Sequence, residues 1–365
     1  MRVAVIGAGW AGLSAAVRLC ADGHAVTLID AARVAGGRAR ALQVDWGEAI
    51  ELDNGQHLMI GAYRELLDLL AFVDDGTTGT GLKREPMRME STSGFSLPRP
   101  DLTGLLRSKG LCWSSRLALL RVLAGLKLAA AARVAGVEGR TVEQWWRASR
   151  QPGELIEALW RPLVLGALNT DPRQACAASF LRVLRDSIAG PRDASDFLVP
   201  QASLGAVVVD PILAWLLQHG VDWRPGLAIA SMERVEPGAG WRLVPIGEPA
   251  AARSDLQADA VVLAVPPANA WRLLDRCHGE SAHLSRTLAE LKRFEHRPIT
   301  TIYFGWKGDR MAALRECFDR LAHATMLRED AARAHRGQWF FRRPSPAGWH
   351  IGAVVISDSR AALDT

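Results

Sequence analysis

Residues 2–30 of the chain read RVAVIGAGWAGLSAAVRLCADGHAVTLID, and they contain its strongest structural signal. The β-branched run Val3–Ile6 is typical of a strand buried in a parallel sheet. A helical pattern covers about Ala11–Ala21, and Gly23 stands where a glycine can end the helix. A second apolar run, Ala25–Ile29, predicts the next strand. The order of strand, glycine-rich turn, helix and strand predicts a Rossmann-type α/β unit.

The turn after the first strand carries the three glycines of a GxGxxG motif. Gly7 permits a tight turn, Gly9 lets a phosphate approach the backbone, and Gly12 lets the helix lie close to the strand. Asp30 follows 18 residues after Gly12 and can accept hydrogen bonds from a ribose diol. The free N–H groups and the dipole at the helix N-terminus can hold a pyrophosphate. A glycine-rich turn in another kind of α/β protein is the alternative. The predicted dinucleotide site consists of Gly7, Ala8, Gly9, Trp10, Ala11, Gly12 and Asp30.

Two further segments distinguish a flavin from a nicotinamide. Residues 30–40 read DAARVAGGRAR, in which Gly36 and Gly37 let the backbone pass close to a flat or charged ligand. Arg38 can reach a phosphate or the edge of a flavin. Residues 51–63 read ELDNGQHLMIGAY and place a dense polar cluster between apolar flanks. A plain nicotinamide dehydrogenase has no particular need for this arrangement, so the sequence favours a flavin.

Composition excludes several classes of protein. The 365 residues suffice for two domains, and the net charge of +5 comes without an aromatic and basic module, so we expect no nucleic-acid partner. The five cysteines form no CxxC pair and the nine histidines no ligand motif, which predicts reduced thiols and no metal. The uncharged run at residues 3–17 carries the glycine motif and lacks a cleavage site, so we do not expect a signal peptide. No uncharged apolar run is long enough for a membrane span.

Together, the glycine motif, Asp30, the GGR at 36–38 and the LDNGQH at 52–57 resemble the flavin-containing amine oxidase and phytoene desaturase superfamily. Within it, the segment LDNGQHLMIGAYRELL is similar to the squalene-associated desaturases described as hydroxysqualene dehydroxylases. Further segments that carry this likeness are residues 3–16, 159–172 and 258–267. The resemblance implies a Rossmann-type FAD-binding domain interleaved with a substrate domain that combines a mixed sheet with helices.

The resemblance also implies which residues touch the cofactor, FAD. The side chains and backbone of Asn54, Gly55, Gln56 and His57 would line the flavin ring, and the backbone near Ile229 would touch the adenine. His57 is the one candidate for a catalytic proton donor. The alternative is local: Asp53 and Asn54 would form an Asx-turn into a helix at Ala62, with His57 merely satisfied nearby.

The same resemblance divides the chain into an FAD-binding domain at residues 1–80 and 192–270 and a substrate-binding domain at residues 81–191 and 271–365. Val261–Val265 would be a buried strand of the first domain. Residues 297–306 and 349–359 have the pattern of sheet strands in the second. The superfamily returns once more to the flavin domain with a C-terminal glycine-rich motif, and we expect this chain, which stops at Thr365, to lack that segment.

Residues 102–137 contain no acid, while arginines and lysines interrupt an otherwise apolar helical pattern. A basic amphipathic helix of this kind can lie on an anionic membrane face, or it can pack into a helical core with its cations in solvent. The 13 tryptophans leave a similar choice, because tryptophan can line an isoprenoid channel but most often belongs to a core.

The activity implied by the resemblance is the reductive removal of a hydroxyl group from hydroxysqualene, which gives squalene for hopanoid synthesis. It implies a polyisoprenoid lipid substrate and, as partners, other enzymes of squalene synthesis. A carotenoid desaturase, an amine oxidase and a non-catalytic subunit of a squalene-synthesising complex are the alternatives. We expect a cytoplasmic protein, with peripheral attachment to the inner face of the cell membrane as a further expectation.

Overall fold

The structure of the chain, a computed structural model, divides into two compact units. The first unit contains residues 1–54, 65–81 and 202–296, and the second contains residues 55–64, 82–201 and 297–365. The chain thus returns to the first unit at 202–296, where the sequence placed the return at 192–270. That one unit binds a cofactor and the other a substrate stays a prediction. The structure describes residues 1–74, 81–128, 137–235, 240–247, 256–277, 281–308, 312–333, 335–343, 345–346 and 348–360.

Strands occur throughout the described residues. In chain order they are β1 (Arg2–Ile6), β2 (Ala25–Asp30), β3 (Ala41–Asp45), β4 (Ala49–Asp53), β5 (Met59–Ile60), β6 (Leu82–Glu85), β7 (Met89–Ser91), β8 (Ser96–Leu97), β9 (Phe197–Pro200), β10 (Asp222–Pro225), β11 (Ile229–Arg234), β12 (Trp241–Pro245), β13 (Gln257–Ala258), β14 (Ala260–Leu263), β15 (Thr300–Lys307), β16 (Ala324–Met326), β17 (Trp339–Arg343) and β18 (Trp349–Ile356).

The α-helices are α1 (Trp10–Ala21), α2 (Arg64–Val73), α3 (Leu102–Leu106), α4 (Trp113–Leu128), α5 (Val142–Ala148), α6 (Gly153–Leu155), α7 (Arg161–Leu168), α8 (Ala177–Leu184), α9 (Asp210–Gln218), α10 (Pro267–Asp275), α11 (Ala282–Lys292) and α12 (Ala312–Arg320). Short 3₁₀ turns lie at Gly37–Ala39 and Ala331–Arg333, and wider π-helical turns lie at Ile156–Trp160, Arg185–Ala189 and Gly205–Val209.

The first unit is built on a parallel sheet with the strand order β10-β2-β1-β14. β1 lies inside this sheet and its last four residues are buried, as the β-branched run predicts. α1 packs its buried residues, among them the fully buried Leu13, against β1 and β2. Gly23, with φ +80°, follows the end of α1. The Rossmann-type α/β prediction is therefore confirmed.

One strand differs from its prediction. β14 was expected to be a buried strand over Val261–Val265, but it spans Ala260–Leu263 and its residues are only half-buried. The reason is its place in the sheet, because β14 is an edge strand that pairs with β1 alone among the described strands. A strand at an edge leaves one side of its backbone unpaired, which an apolar sequence does not reveal.

The second unit contains a six-stranded mixed sheet with the order β15-β18-β17-β16-β7-β8. β16 and β7 run parallel, and the other neighbours are antiparallel. Helices α3 to α8 supply much of the core next to this sheet, and Trp145, Trp160 and Phe180 meet there edge to face with ring centroids 6.0–6.2 Å apart. Among the tryptophans, Trp145 and Trp160 are thus core residues.

The predicted basic amphipathic helix over residues 102–137 is wrong in its details. The segment forms the short α3 and the longer α4, separated near Gly110, which has φ +72°. α4 is apolar on two faces, because Leu119 and Leu123 are buried while Leu117 and Leu120 are exposed. Residues 129–136 of the predicted helix, with Arg133, lie outside the described residues.

Two of the π-helical turns have a local cause in the sequence. Ile156–Trp160 comes just before Pro162 in α7, and Gly205–Val209 comes just before Pro211 in α9. A proline inside a continuing helix donates no hydrogen bond, and its ring collides with the carbonyl of the preceding turn. A wider turn relieves that collision, so each helix continues past its proline.

Candidate cofactor and active site

Two glycines of the loop between β1 and α1 are required by the protein itself. Gly7 has φ +107°, and a Cβ at this position would lie 2.4 Å from the carbonyl oxygen of Ala264. A Cβ on Gly12 would lie 1.7 Å from the carbonyl oxygen of Gly7. Neither position tolerates a side chain without movement of the backbone, so close packing explains both glycines.

Gly9 is different. Its backbone is extended, with φ −74° and ψ 179°, a conformation open to any residue, and among the described residues no atom lies within 4 Å of a Cβ built on it. α1 begins at the next residue, Trp10, and no side chain in the described part of the chain caps its N-terminus. The space beside Gly9 therefore has the two properties of a phosphate site, room for a ligand and unengaged N–H groups at a helix N-terminus.

Asp30, at the end of β2, holds the glycine loop in place. Its Oδ2 accepts the N–H of Ala8 at 2.6 Å, and its Oδ1 accepts the N–H of Ala32 at 2.7 Å. Each carboxylate oxygen can accept a further hydrogen bond, so these contacts leave acceptor capacity for a ribose hydroxyl. The ribose contact itself stays a prediction.

The GGR turn lies directly against the glycine loop. The N–H of Gly36 donates to the carbonyl of Ala8 at 2.7 Å, and a Cβ on Gly37 would stand 3.3 Å from the Cα of Gly9. Both glycines of the turn have positive φ, +106° and +56°. Arg38 follows and is exposed. The tertiary structure thus brings together two motifs that the sequence analysis linked only by resemblance.

Asn54 belongs to the same group. Its backbone N–H donates to the carbonyl of Arg40 at 3.0 Å, and its side-chain Nδ2 lies 3.4 Å from the carbonyl of Arg38. Antiparallel pairing of β3 with β4 delivers it there, because Ala41 is opposite Asp53 in the register. Asn54 is therefore attached to the GGR turn and remains exposed.

Asp53 has a hydrogen-bond partner far from its own segment, which the Asx-turn alternative did not foresee. This buried carboxylate accepts the N–H of Leu204 through Oδ1 at 2.7 Å, and α2 begins at Arg64 instead of Ala62. Asp53 ties the end of β4 to the start of the helical segment that leads into α9. The acid in the LDNGQH segment thus has a structural task within the first unit.

The rest of that segment belongs to the second unit. Gln56 donates from Nε2 to the carbonyl of His57 at 3.3 Å, while its Oε1 is buried and has no hydrogen-bond partner among the described residues. His57 is exposed, and its Nε2 lies 3.9 Å from a Cβ built on Gly55, as does the hydroxyl of Thr301. A buried acceptor without a partner is costly, which points to a donor that a ligand would supply.

Comparison with known proteins agrees with this geometry. Residues 5–73 match the family model described as an NAD(P)-binding Rossmann-like domain. The hydroxysqualene dehydroxylase of Sinorhizobium fredii is 29% identical over 282 residues, and that of Rhodopseudomonas palustris is 30% identical over 282 residues. Each alignment covers 74% of this chain and 63% of the relative, so the chain spans less than two thirds of their length. The chain is thus similar to hydroxysqualene dehydroxylases over about three quarters of its own length.

Among solved structures, a variant of putrescine oxidase with redesigned cofactor binding superposes with a TM-score of 0.72. It is 16% identical, and the alignment covers 100% of this chain and 78% of that one. This chain therefore has the same fold as putrescine oxidase, and the predicted fold class is confirmed.

Ile229, Trp10 and Ala11 are the remaining residues of the predicted site. Ile229 is buried at the start of β11, opposite Pro245, with an irregular register before Ser231. Its contact with an adenine stays a prediction. Trp10 and Ala11 open α1, and the Nε1 of Trp10 is buried without a partner among the described residues.

Sequence reasoning missed the place of Thr301 beside Gly55 and His57, and the bond from Leu204 to Asp53. These residues are far apart in the chain, and a single threonine at the start of a strand carries no motif. The pattern of residues 297–306 predicted a strand, and β15 lies there at Thr300–Lys307, but the pattern did not indicate which residues are its neighbours.

One cavity of the second unit lies outside this site. It has a volume of about 400 Å³, and its lining includes Glu154, Glu157 and Arg161. Hydrogen bonds from Cys112 and Ser115 lower the pKa of Glu154, so its carboxylate is charged at neutral pH. A charged lining does not suit an apolar lipid. Across the described residues, no cluster of His, Cys, Asp and Glu side chains is arranged to hold a metal ion.

Proposed function

We propose that this chain binds FAD and forms part of an oxidoreductase that reductively removes the hydroxyl group of hydroxysqualene. The observation that carries the cofactor proposal is the open space at Gly9, beside an uncapped helix N-terminus and a second glycine turn. The name of the relatives carries the substrate proposal. The amine oxidase-like fold supports a flavin over a free nicotinamide.

The residues present fit FAD. The N-terminus of α1 would hold the pyrophosphate, with Gly9 leaving room for it and Gly37 keeping the opposite wall free of a side chain. Asp30 would add ribose hydroxyls to the two backbone N–H groups it already accepts. Arg38 and Asn54, which are joined through a backbone carbonyl, would lie on the ring side of this cradle.

We propose that Gln56 and His57 contact the polar edge of the flavin ring. The buried Oε1 of Gln56 would accept a hydrogen bond from a ring N–H, which would remove the cost of its unpaired state. His57 is exposed and can donate a proton or a hydrogen bond. When bound and reduced, FAD supplies a hydride.

The substrate sets two further demands on the protein. Hydroxide is a poor leaving group, so a donor must protonate it or hydrogen-bond to it as it departs. His57 and the hydroxyl of Thr301, which both lie near Gly55, are our candidates for that donor. Departure of the hydroxyl leaves an allylic cation, and exclusion of water from the site protects it until reduction.

The test has two steps. The first checks the cofactor proposal and the second checks the substrate proposal, so that each can fail without the other. The purified protein should show flavin absorbance bands that bleach on reduction, and the released cofactor should co-migrate with FAD. With a reductant, it should convert hydroxysqualene to squalene, detected by mass spectrometry. A colourless protein would contradict the cofactor proposal and favour a non-catalytic subunit. Flavin-loaded protein that leaves hydroxysqualene intact but acts on phytoene or an amine would contradict the substrate proposal alone.

A further inference from the structure

Large apolar side chains are exposed along one side of α3 and α4. We call the following residues the apolar row: Leu102, Leu106, Trp113, Leu117, Leu120 and Leu128. On α4 they are spaced four, three and eight positions apart, which puts them on one face of a helix with 3.6 residues per turn. The opposite face of α4 packs into the core of the second unit through residues such as Leu119, Leu123 and Leu126. The exposed side chains are therefore additional to those that the core uses.

A single arginine joins the two helices into one surface. Arg116 of α4 donates to the carbonyls of Leu106 at 3.3 Å, Ser108 at 2.7 Å and Leu111 at 3.2 Å. Its guanidinium lies 5.2 Å from the centroid of the Trp113 ring. These contacts hold the loop after α3 against the first turn of α4, so the end of α3 and the Trp113 ring lie beside the same guanidinium.

Only cations border the apolar row within these two helices. Residues 102–128 contain no acid, and Arg107, Lys109, Arg121 and Lys127 are exposed. With 3.6 residues per turn, Arg121 and Lys127 project from opposite borders of the row on α4. Leucine and tryptophan flanked by arginine and lysine form the pattern of a helix that lies in a membrane interface.

We infer that the apolar row and its bordering cations bind the surface of an anionic lipid membrane. Charge decides between this partner and a second copy of the chain, because self-pairing would bring cation against cation, whereas acidic headgroups complement them. In the described part of the chain, no helix is long and apolar enough to cross a membrane. The inference is independent of the FAD proposal, since it uses neither the glycine loop nor the LDNGQH segment.

The test is flotation of the purified protein with phosphatidylcholine vesicles containing about 30% phosphatidylglycerol, compared with vesicles of phosphatidylcholine alone. We expect binding to the anionic vesicles that weakens with added salt. The double variant Leu117→Gln and Leu120→Gln should bind about tenfold less tightly, because it removes apolar side chains that would enter the interface. The double variant Arg121→Gln and Lys127→Gln should lose about thirtyfold on anionic vesicles, at roughly fivefold per cation.

The matched control is Leu314→Gln, a leucine on α12 that is 42% exposed, close to the 46% of Leu117. It should float like the parent protein. Failure of the parent protein to bind anionic vesicles would overturn the inference. Binding by both double variants that is as tight as that of the parent would also overturn it. If the leucine variant melts at a lower temperature than the parent, Trp113→Gln replaces it, because that side chain is 76% exposed. A dimer that dissociates in the leucine variant, seen by light scattering, would assign the surface to a second copy instead.

Discussion

Substitutions in the glycine loop should separate folding from ligand binding. We expect Gly12→Ala to destabilise the protein even without a cofactor, because the new Cβ would lie 1.7 Å from the carbonyl oxygen of Gly7. Gly9→Ala should leave the apoprotein at least as stable as the parent, because its extended backbone suits alanine and the Cβ meets no described atom. Gly9→Val should abolish FAD binding, since its larger side chain fills the space proposed for the pyrophosphate.

The magnitudes follow from these contacts. At Gly12 the backbone must move by more than 1 Å to relieve the overlap, and overpacking of this kind costs about 3 kcal/mol of unfolding free energy. Gly9→Ala lowers the conformational entropy of the unfolded chain, which adds about 0.4–1 kcal/mol to the free energy of unfolding. Losing two charge-assisted hydrogen bonds to the pyrophosphate costs about 3–6 kcal/mol of binding free energy, roughly a hundred- to ten-thousandfold in Kd.

Urea denaturation of the apoproteins measures the stability changes, and titration with FAD, followed by quenching of flavin fluorescence, measures the Kd. The matched control is Gly153→Val, the same substitution at an exposed glycine where a Cβ also meets no described atom. It should leave FAD binding unchanged. Normal FAD binding by Gly9→Val would refute the phosphate site. Destabilisation of the apoprotein by Gly9→Ala as large as that by Gly12→Ala would refute the argument that only a ligand requires this glycine.

Three further predictions concern stability. Asp53→Ala should lower the free energy of unfolding by about 1–3 kcal/mol in urea denaturation, because it leaves the buried N–H of Leu204 unpaired. Asp53→Asn keeps an acceptor and should lose less stability. Equal losses of unfolding free energy in the two variants would contradict the role of Asp53 as the acceptor for Leu204. Burial lowers the pKa of His323, so the unfolded state binds its proton more readily and stability should fall as the pH drops below about 6.5. The melting temperature should therefore depend less on pH in His323→Gln than in the parent. The same dependence of melting temperature on pH in both proteins would exclude the effect. Trp160→Ala should cost about 3–5 kcal/mol in the core, whereas Trp113→Ala, at a residue that is 76% exposed, should cost little in the same measurement.

The local parts of the fold were predictable because they depend on neighbouring residues. A β-branched run, glycines at fixed spacing and a helical period specify β1, the turn and α1 within residues 2–21. The steric demands of Gly7 and Gly12 are set by this short unit and by the strand beside it. The GGR turn carried a similar signal, because two adjacent glycines with positive φ are rare outside a tight turn.

The partners of the LDNGQH segment were not predictable in this way. The sequence showed that Asp53 was an acid in a polar cluster, but not that it accepts the N–H of Leu204 across the first unit. Thr301 is placed beside Gly55 by the register of β15 with β18 in the second unit, and register depends on pairing between distant strands. The half-burial of β14 has the same origin, since it follows from position in the sheet.

The sequence by itself determined a Rossmann-type α/β unit and the identity of the residues at its glycine turns, because backbone sterics and helix periodicity act over a few residues. Only the tertiary structure decided which glycine faces open space, which carboxylate accepts a hydrogen bond from a distant backbone N–H, and which leucines of α4 remain exposed. Those properties belong to surfaces formed by segments far apart in the chain. The type of a residue and its neighbours in sequence do not determine which distant residues pack against it.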